Sequence, residues 1–86
     1  MNVLLSSIAK NDIRLLMRVF NAEKENMGMD FLEDLKVTIG EILQNNKNHE
    51  TRHNEITVNT MQNFPVNIHY IFEDHENLLV TAIFKI

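Results

Sequence analysis

At 86 residues the chain has room for one domain with one small core, and 44% hydrophobic content with only 2 glycines and 1 proline excludes disorder and low complexity. With no cysteine, neither a disulfide framework nor a thiolate metal site is available. The formal net charge is -4 and the eight Lys and Arg are scattered from Lys10 to Lys85, which disfavours a broad basic face for nucleic acid.

The chain opens on a short apolar run, Val3-Leu4-Leu5, followed by Ser6-Ser7, which suits a helix N-cap. This predicts a strand handing over to a helix. No apolar run approaches the roughly 20 residues of a membrane span, and Met1 to Leu5 is too short for a signal-peptide core, so a cytoplasmic location is expected. From Ser7 to Asn26, Ala9, Ile13, Leu16 and Phe20 recur at helical spacing, with Leu15 and Val19 expected to widen the stripe. Asn26-Met27-Gly28 interrupts the period with residues that tolerate a left-handed turn. A second stripe then runs through Phe31, Leu32, Leu35, Ile39, Ile42 and Leu43 and ends at the Asn45-Asn46-Lys47-Asn48 cluster. So short a break implies an antiparallel helical hairpin, with Met17, Met27 and Met29 expected to fill gaps around it.

Asn48 to Asn54 reads as polar loop, after which Ile56, Val58 and Thr60 alternate with Thr57, Asn59 and Met61 as a third candidate strand. Val66, Ile68, Tyr70 and Phe72 alternate with Asn67, His69 and Ile71, and a polar Glu73–Asn77 break precedes the apolar run from Leu78 to Ile86. The pair reads as a β-hairpin. Pro65 stands just before it, where its missing N–H removes no interior ladder bond. The last run is apolar on both parities and is therefore expected at the sheet centre, with Leu78, Val80, Ala82, Phe84 and Ile86 on one face and Leu79 and Ile83 on the other. Ile39 and Phe84 are expected between the helical hairpin and the sheet. The order β-α-α-β-β-β predicts a single α+β domain over residues 1–86, a helical hairpin packed on a mostly antiparallel four-stranded sheet.

Two groups of residues invite chemistry. His49-Glu50-Thr51-Arg52-His53 matches the H-E-x-x-H pattern, which in zinc peptidases puts both histidines on one side of a metal with the glutamate placed to activate water. Here it follows an Asn-rich helix end and lacks an apolar backing stripe, so it reads as a polar loop, and neither a metal nor a cofactor is expected. His69 is the better placed acid–base candidate, because an imidazole titrates near neutrality. No partner acid or nucleophile can be assigned to it from spacing, and a lone strand histidine is more often a packing residue. Tyr70, the chain's one tyrosine, falls on the core parity with Phe72.

The stretches NAEKENMGMDFLEDLKVTIGEI and NFPVNIHYIFEDHENLLVTAIF, in this order of elements, resemble the RelE/ParE superfamily of bacterial type II toxin–antitoxin toxins, its ParE-like branch in particular. The Phe-Pro-x-x-I-x-Y segment followed by the apolar last strand carries the resemblance best. It implies a cytoplasmic toxin of a plasmid-stabilisation type, neutralised by a cognate antitoxin. ParE-like members act by protein binding and poison DNA gyrase; RelE-like members cleave mRNA on the ribosome. The family's ribonuclease site lies on the face carried by the last three strands, where this chain offers Asn59, Asn67 and His69 as catalytic candidates and no arginine. Asn59, Thr60, Gln62, Asn63 and Asn67 stand where the family usually carries basic residues, and the chain ends at Lys85-Ile86 where relatives run into a His- and Arg-containing tail. These departures leave two readings open alike, an active toxin and a degenerate or C-terminally shortened homologue. Without cations to stabilise the transition-state phosphate, the endonuclease reading ranks behind protein binding, and a zinc peptidase through His49, Glu50 and His53 stands as the remote alternative.

Overall fold

The computed structural model describes residues 2–45 and 55–86. It contains β1 (Asn2–Leu5), α1 (Ser7–Glu23), α2 (Met27–Asn45), β2 (Thr57–Thr60), β3 (Val66–Phe72) and β4 (Asn77–Lys85). The sheet order is β1-β4-β3-β2, with β1 parallel to β4 and the other pairs antiparallel. β4 is the central strand between β1 and β3, as its run of apolar residues on both parities implies, and both helices lie on one sheet face.

Local chemistry sets the boundaries. Ser6 caps α1: its Oγ accepts the Ala9 N–H at 2.9 Å, satisfying one of the helix's orphan donors. Asn26 takes the left-handed turn between the helices at φ 66°, a conformation that Asn tolerates better than most residues. Gly28 is needed for a different reason. It is buried where α2 crosses α1, and a Cβ there would lie 2.6 Å from the Met17 carbonyl oxygen. Its N–H donates to Asn21 Oδ1 at 2.8 Å, which pins the crossing.

Phe20, Phe31 and Phe64 form a mutual aromatic cluster, with centroids 5.0 to 5.6 Å apart, joining both helices to the segment before β3. The Phe of Phe-Pro is thus a core residue. Pro65 keeps its carbonyl in use, accepting the Ile86 N–H at 2.7 Å. In β3 the expected alternation holds, with Val66, Ile68, Tyr70 and Phe72 buried and Asn67, His69 and Ile71 half-buried on the other face. Fully burying side chains of this size is worth about 1.5–3 kcal/mol each relative to leaving them exposed.

Three expectations fail, each for a local reason. In α1, Leu15 and Val19 do not widen the core stripe; they are exposed at 48% and 41%, because the narrow arc that faces the sheet and α2 is filled by Ala9, Leu16 and Phe20. Met29 is likewise exposed, whereas Met17 and Met27 do pack against the core. In β4, Phe84 is 52% exposed and is not between the helices and the sheet, while Ile83 is buried in its place. The cause is a β-bulge: His69 pairs with Ala82 but Tyr70 pairs with Val80, so Thr81 is an extra residue. One extra residue reverses the parity of everything after it. Leu78, Val80 and Ile83 therefore face the helices, and Ala82 and Phe84 face away.

Candidate functional site

Two surfaces concentrate unpartnered chemistry. The first is a groove of about 400 Å³ on the helix side of the sheet. It exists because α1 packs mainly on β4 and only lightly on β1, so Val3 and Leu5 of β1 stay largely uncovered beside α2. Val3 and Leu5 of β1 form one wall, α1 contributes Ile13, and α2 contributes Leu32, Leu35, Ile39, Gly40 and Leu43, with Lys36 at the rim. The α2 stripe read from the sequence is thus divided between two tasks. Phe31, Leu35 and Ile42 are buried in the core, while Leu32, Ile39 and Leu43 stay partly open along the groove. β1 is an edge strand, paired on one side only, so its outer backbone groups are open to a further strand. Gly40 lies on the groove wall, and a Cβ added there would meet nothing within 4 Å.

The second surface is the outer sheet face. The register places Leu4, Leu79 and Ile71 in one row, Val58, His69 and Ala82 in the next, and Thr60, Asn67 and Phe84 in a third. None of these nine carries a permanent charge. His69 is half-buried, and its ring meets Phe84 edge-on at 4.9 Å and 86°. Asn67 Oδ1 accepts from Thr60 Oγ1 at 2.6 Å.

The three catalytic candidates do not converge. Asn67 and His69 share the outer face, but Asn59 pairs with Ile68 and so points to the helix side. There it lines a separate polar cleft of about 330 Å³ with Asp34, Thr38, Glu41, Asn45 and Asn63. Asp34 Oδ1 accepts from Asn63 Nδ2 at 2.9 Å, and Asp34 Oδ2 is buried with no hydrogen-bond partner among the described residues. His69 therefore has the Phe84 ring against it, Val58 and Ala82 in its own row, the Asn67 amide one row on, and no Lys or Arg among the nine residues of the three rows. His49, Glu50 and His53 lie outside the described residues. Among the described residues no group of three or more His, Cys, Asp or Glu could hold a metal ion, and no helix is long and apolar enough to cross a membrane.

The groove was only half legible in the sequence. The α2 stripe announced the apolar residues, but nothing in it said that the hairpin would leave β1 uncovered. Tyr70 is buried as its parity predicts, and burial pushes its phenol above the ordinary value of 10.0.

A helical hairpin inserted after the first strand, packed on one face of a sheet ordered β1-β4-β3-β2, is a ParE-like α+β fold. Among solved structures, the chain is similar to a protein of the chromosomal ParDE TA system from P. aeruginosa, with a TM-score of 0.80 over 100% of this chain and 96% of that one, at 10% sequence identity. No protein-family model matches the sequence. No curated protein sequence matches it either.

Proposed function

We propose that the chain is a ParE-like toxin of a type II toxin–antitoxin system, acting by protein binding and neutralised by a cognate antitoxin seated in the groove between β1 and α2. The observation that carries this reading is the groove itself, in a chain whose fold matches a protein of a ParDE system along its whole length. A wall of Leu32, Ile39 and Leu43 facing Val3 and Leu5 accepts the apolar stripe of an amphipathic segment, and the adjoining β1 edge offers main-chain hydrogen bonds to an added strand. Both are general modes of peptide recognition, and together they let one short partner segment engage two elements at once. DNA gyrase is the candidate target in this reading, with the cytoplasm as the place of action and plasmid stabilisation as the biological role.

The separation of Asn59 from His69 and the uncharged outer rows support protein binding over ribosome-dependent mRNA cleavage. Induced expression is expected to arrest growth, and the product of the neighbouring reading frame to relieve the arrest. Purified protein is expected to inhibit gyrase supercoiling and leave ribosome-bound mRNA intact. Codon-phased mRNA cleavage by the wild type, lost in His69→Ala, would overturn the reading in favour of the endonuclease.

A further inference from the structure

The β4 bulge is held from outside the sheet. Beyond Leu5, β1 no longer flanks β4, and Ser6 and Asp12 take over its free edge. Ser6 straddles the bulge: its N–H donates to the Val80 carbonyl at 3.0 Å and its Oγ donates to the Thr81 carbonyl at 2.7 Å. In a regular strand successive carbonyls point to opposite edges, so two neighbouring carbonyls turned toward one residue mark the point where alternation breaks. Two residues on, the Asp12 carboxylate accepts the Ile83 N–H at 2.9 Å. Thr81 Oγ1 closes the far side by donating to the His69 carbonyl at 3.1 Å.

These contacts select between two registers that the sequence itself barely distinguishes. Continuing the pairing from Tyr70 and Val80 without a bulge would set His69 opposite Thr81, Ile68 opposite Ala82 and Val66 opposite Phe84. Ala82 and Phe84 would then face the helices, and Ile83 the outer face. Both parities are apolar, so hydrophobic patterning specifies the register weakly. Edge direction does distinguish them. In the bulged register the Ile83 N–H points to the edge where Asp12 waits; in the regular register it would point to β3 and leave the Asp12 carboxylate without it.

We infer that Asp12 is a register lock: a carboxylate on α1 that fixes the β4 bulge and so decides that Phe84, and not Ile83, is displayed beside His69 on the outer sheet face. The end of β4 is a two-state element, and α1 sets its state.

NMR of the full chain tests this through the cross-strand contacts of His69. Wild type is expected to show His69 opposite Ala82, with its ring against Phe84. Asp12→Ala is expected to lose the ring contact in a second set of resonances in which His69 faces Thr81. Asp12→Asn is expected to keep the wild-type pattern, because its amide oxygen still accepts the Ile83 N–H. Adding Phe84→Lys to Asp12→Ala is expected to restore the bulged register, since a lysine at that position cannot face the core. A single, unchanged bulged register in Asp12→Ala would overturn the lock. Should Asp12→Ala not fold, recovery of folding by the added Phe84→Lys supports the lock, and failure to recover it shows that Asp12 is a general stabilising contact and the inference is wrong.

Discussion

Truncating two adjacent residues of β4 separates the bulged strand from a regular one. Ile83 is 2% exposed and faces the helices, so Ile83→Ala removes buried methylenes and leaves a cavity, at a cost of about 2–5 kcal/mol. Phe84 is 52% exposed, so about half of the roughly 1.5–3 kcal/mol for full burial of such a side chain is at stake, or about 1 kcal/mol. In a domain of this size each kcal/mol at the midpoint moves Tm by about 4–8 °C. Ile83→Ala should therefore lower Tm by at least about 8 °C, and Phe84→Ala by about half of that or less. Urea titrations followed by far-ultraviolet circular dichroism give the same ranking through the midpoint, provided the slope is unchanged. On simple alternation the ranking is reversed, since the larger Phe84 would be the core residue. A Phe84→Ala penalty equal to or larger than that of Ile83→Ala would refute the bulge.

Three further outcomes follow from single sites. Gly28→Ala should destabilise by about 1–3 kcal/mol as an overpacking change, because its Cβ would lie 2.6 Å from the Met17 carbonyl oxygen; unchanged thermal stability would show that the helices do not cross so closely. Gly40→Ala should do the opposite, raising stability by about 1 kcal/mol because a mid-helix glycine is replaced without any clash, while weakening antitoxin binding by filling the groove wall. A gain in stability with unaltered binding would remove Gly40 from the docking surface. For Tyr70, burial raises the folded-state value above 10.0, while the unfolded chain titrates near the ordinary value. Between the two, the unfolded state has lost a proton that the native state keeps, so stability should fall as pH rises from about 10 through the folded value. Tyr70→Phe should abolish that alkaline loss. With one tyrosine in the chain, its absorbance titration reads the group directly, and a midpoint at or below 10.0 in the folded protein would contradict its burial.

The sequence carried the element order, the Ser6 cap, the Asn26 turn and the β3 alternation, because each depends on residues near one another in the chain. The errors arose where a distant group intervened. Ile83 and Phe84 could not be sorted by parity, since the bulge is set by Ser6 and Asp12, some 70 positions away in the chain. Leu15 and Val19 have the composition of core residues, yet the width of the buried arc is fixed by how α2 and the sheet approach α1. The same holds for function. Asn59, Asn67 and His69 fall on neighbouring strands, but only the β2–β3 register reveals that Asn59 points to the other side. The groove is a property of coverage, of where the helical hairpin stops, and no local pattern encodes that.

The central claim is that the groove between β1 and α2 receives an antitoxin. Its most direct test is calorimetric titration of the purified chain with the antitoxin-like product of the neighbouring reading frame, comparing wild type, Ile39→Glu and His69→Ala. Ile39 lines the groove and is only partly buried, so a carboxylate there stays hydrated in the free protein and must be desolvated beneath an apolar partner. Wild type and His69→Ala should bind alike, and Ile39→Glu should lose at least about tenfold in affinity, which corresponds to about 1.4 kcal/mol. Equal affinity of a folded Ile39→Glu variant, or a loss confined to His69→Ala, would contradict the account and move the binding surface to the outer sheet face.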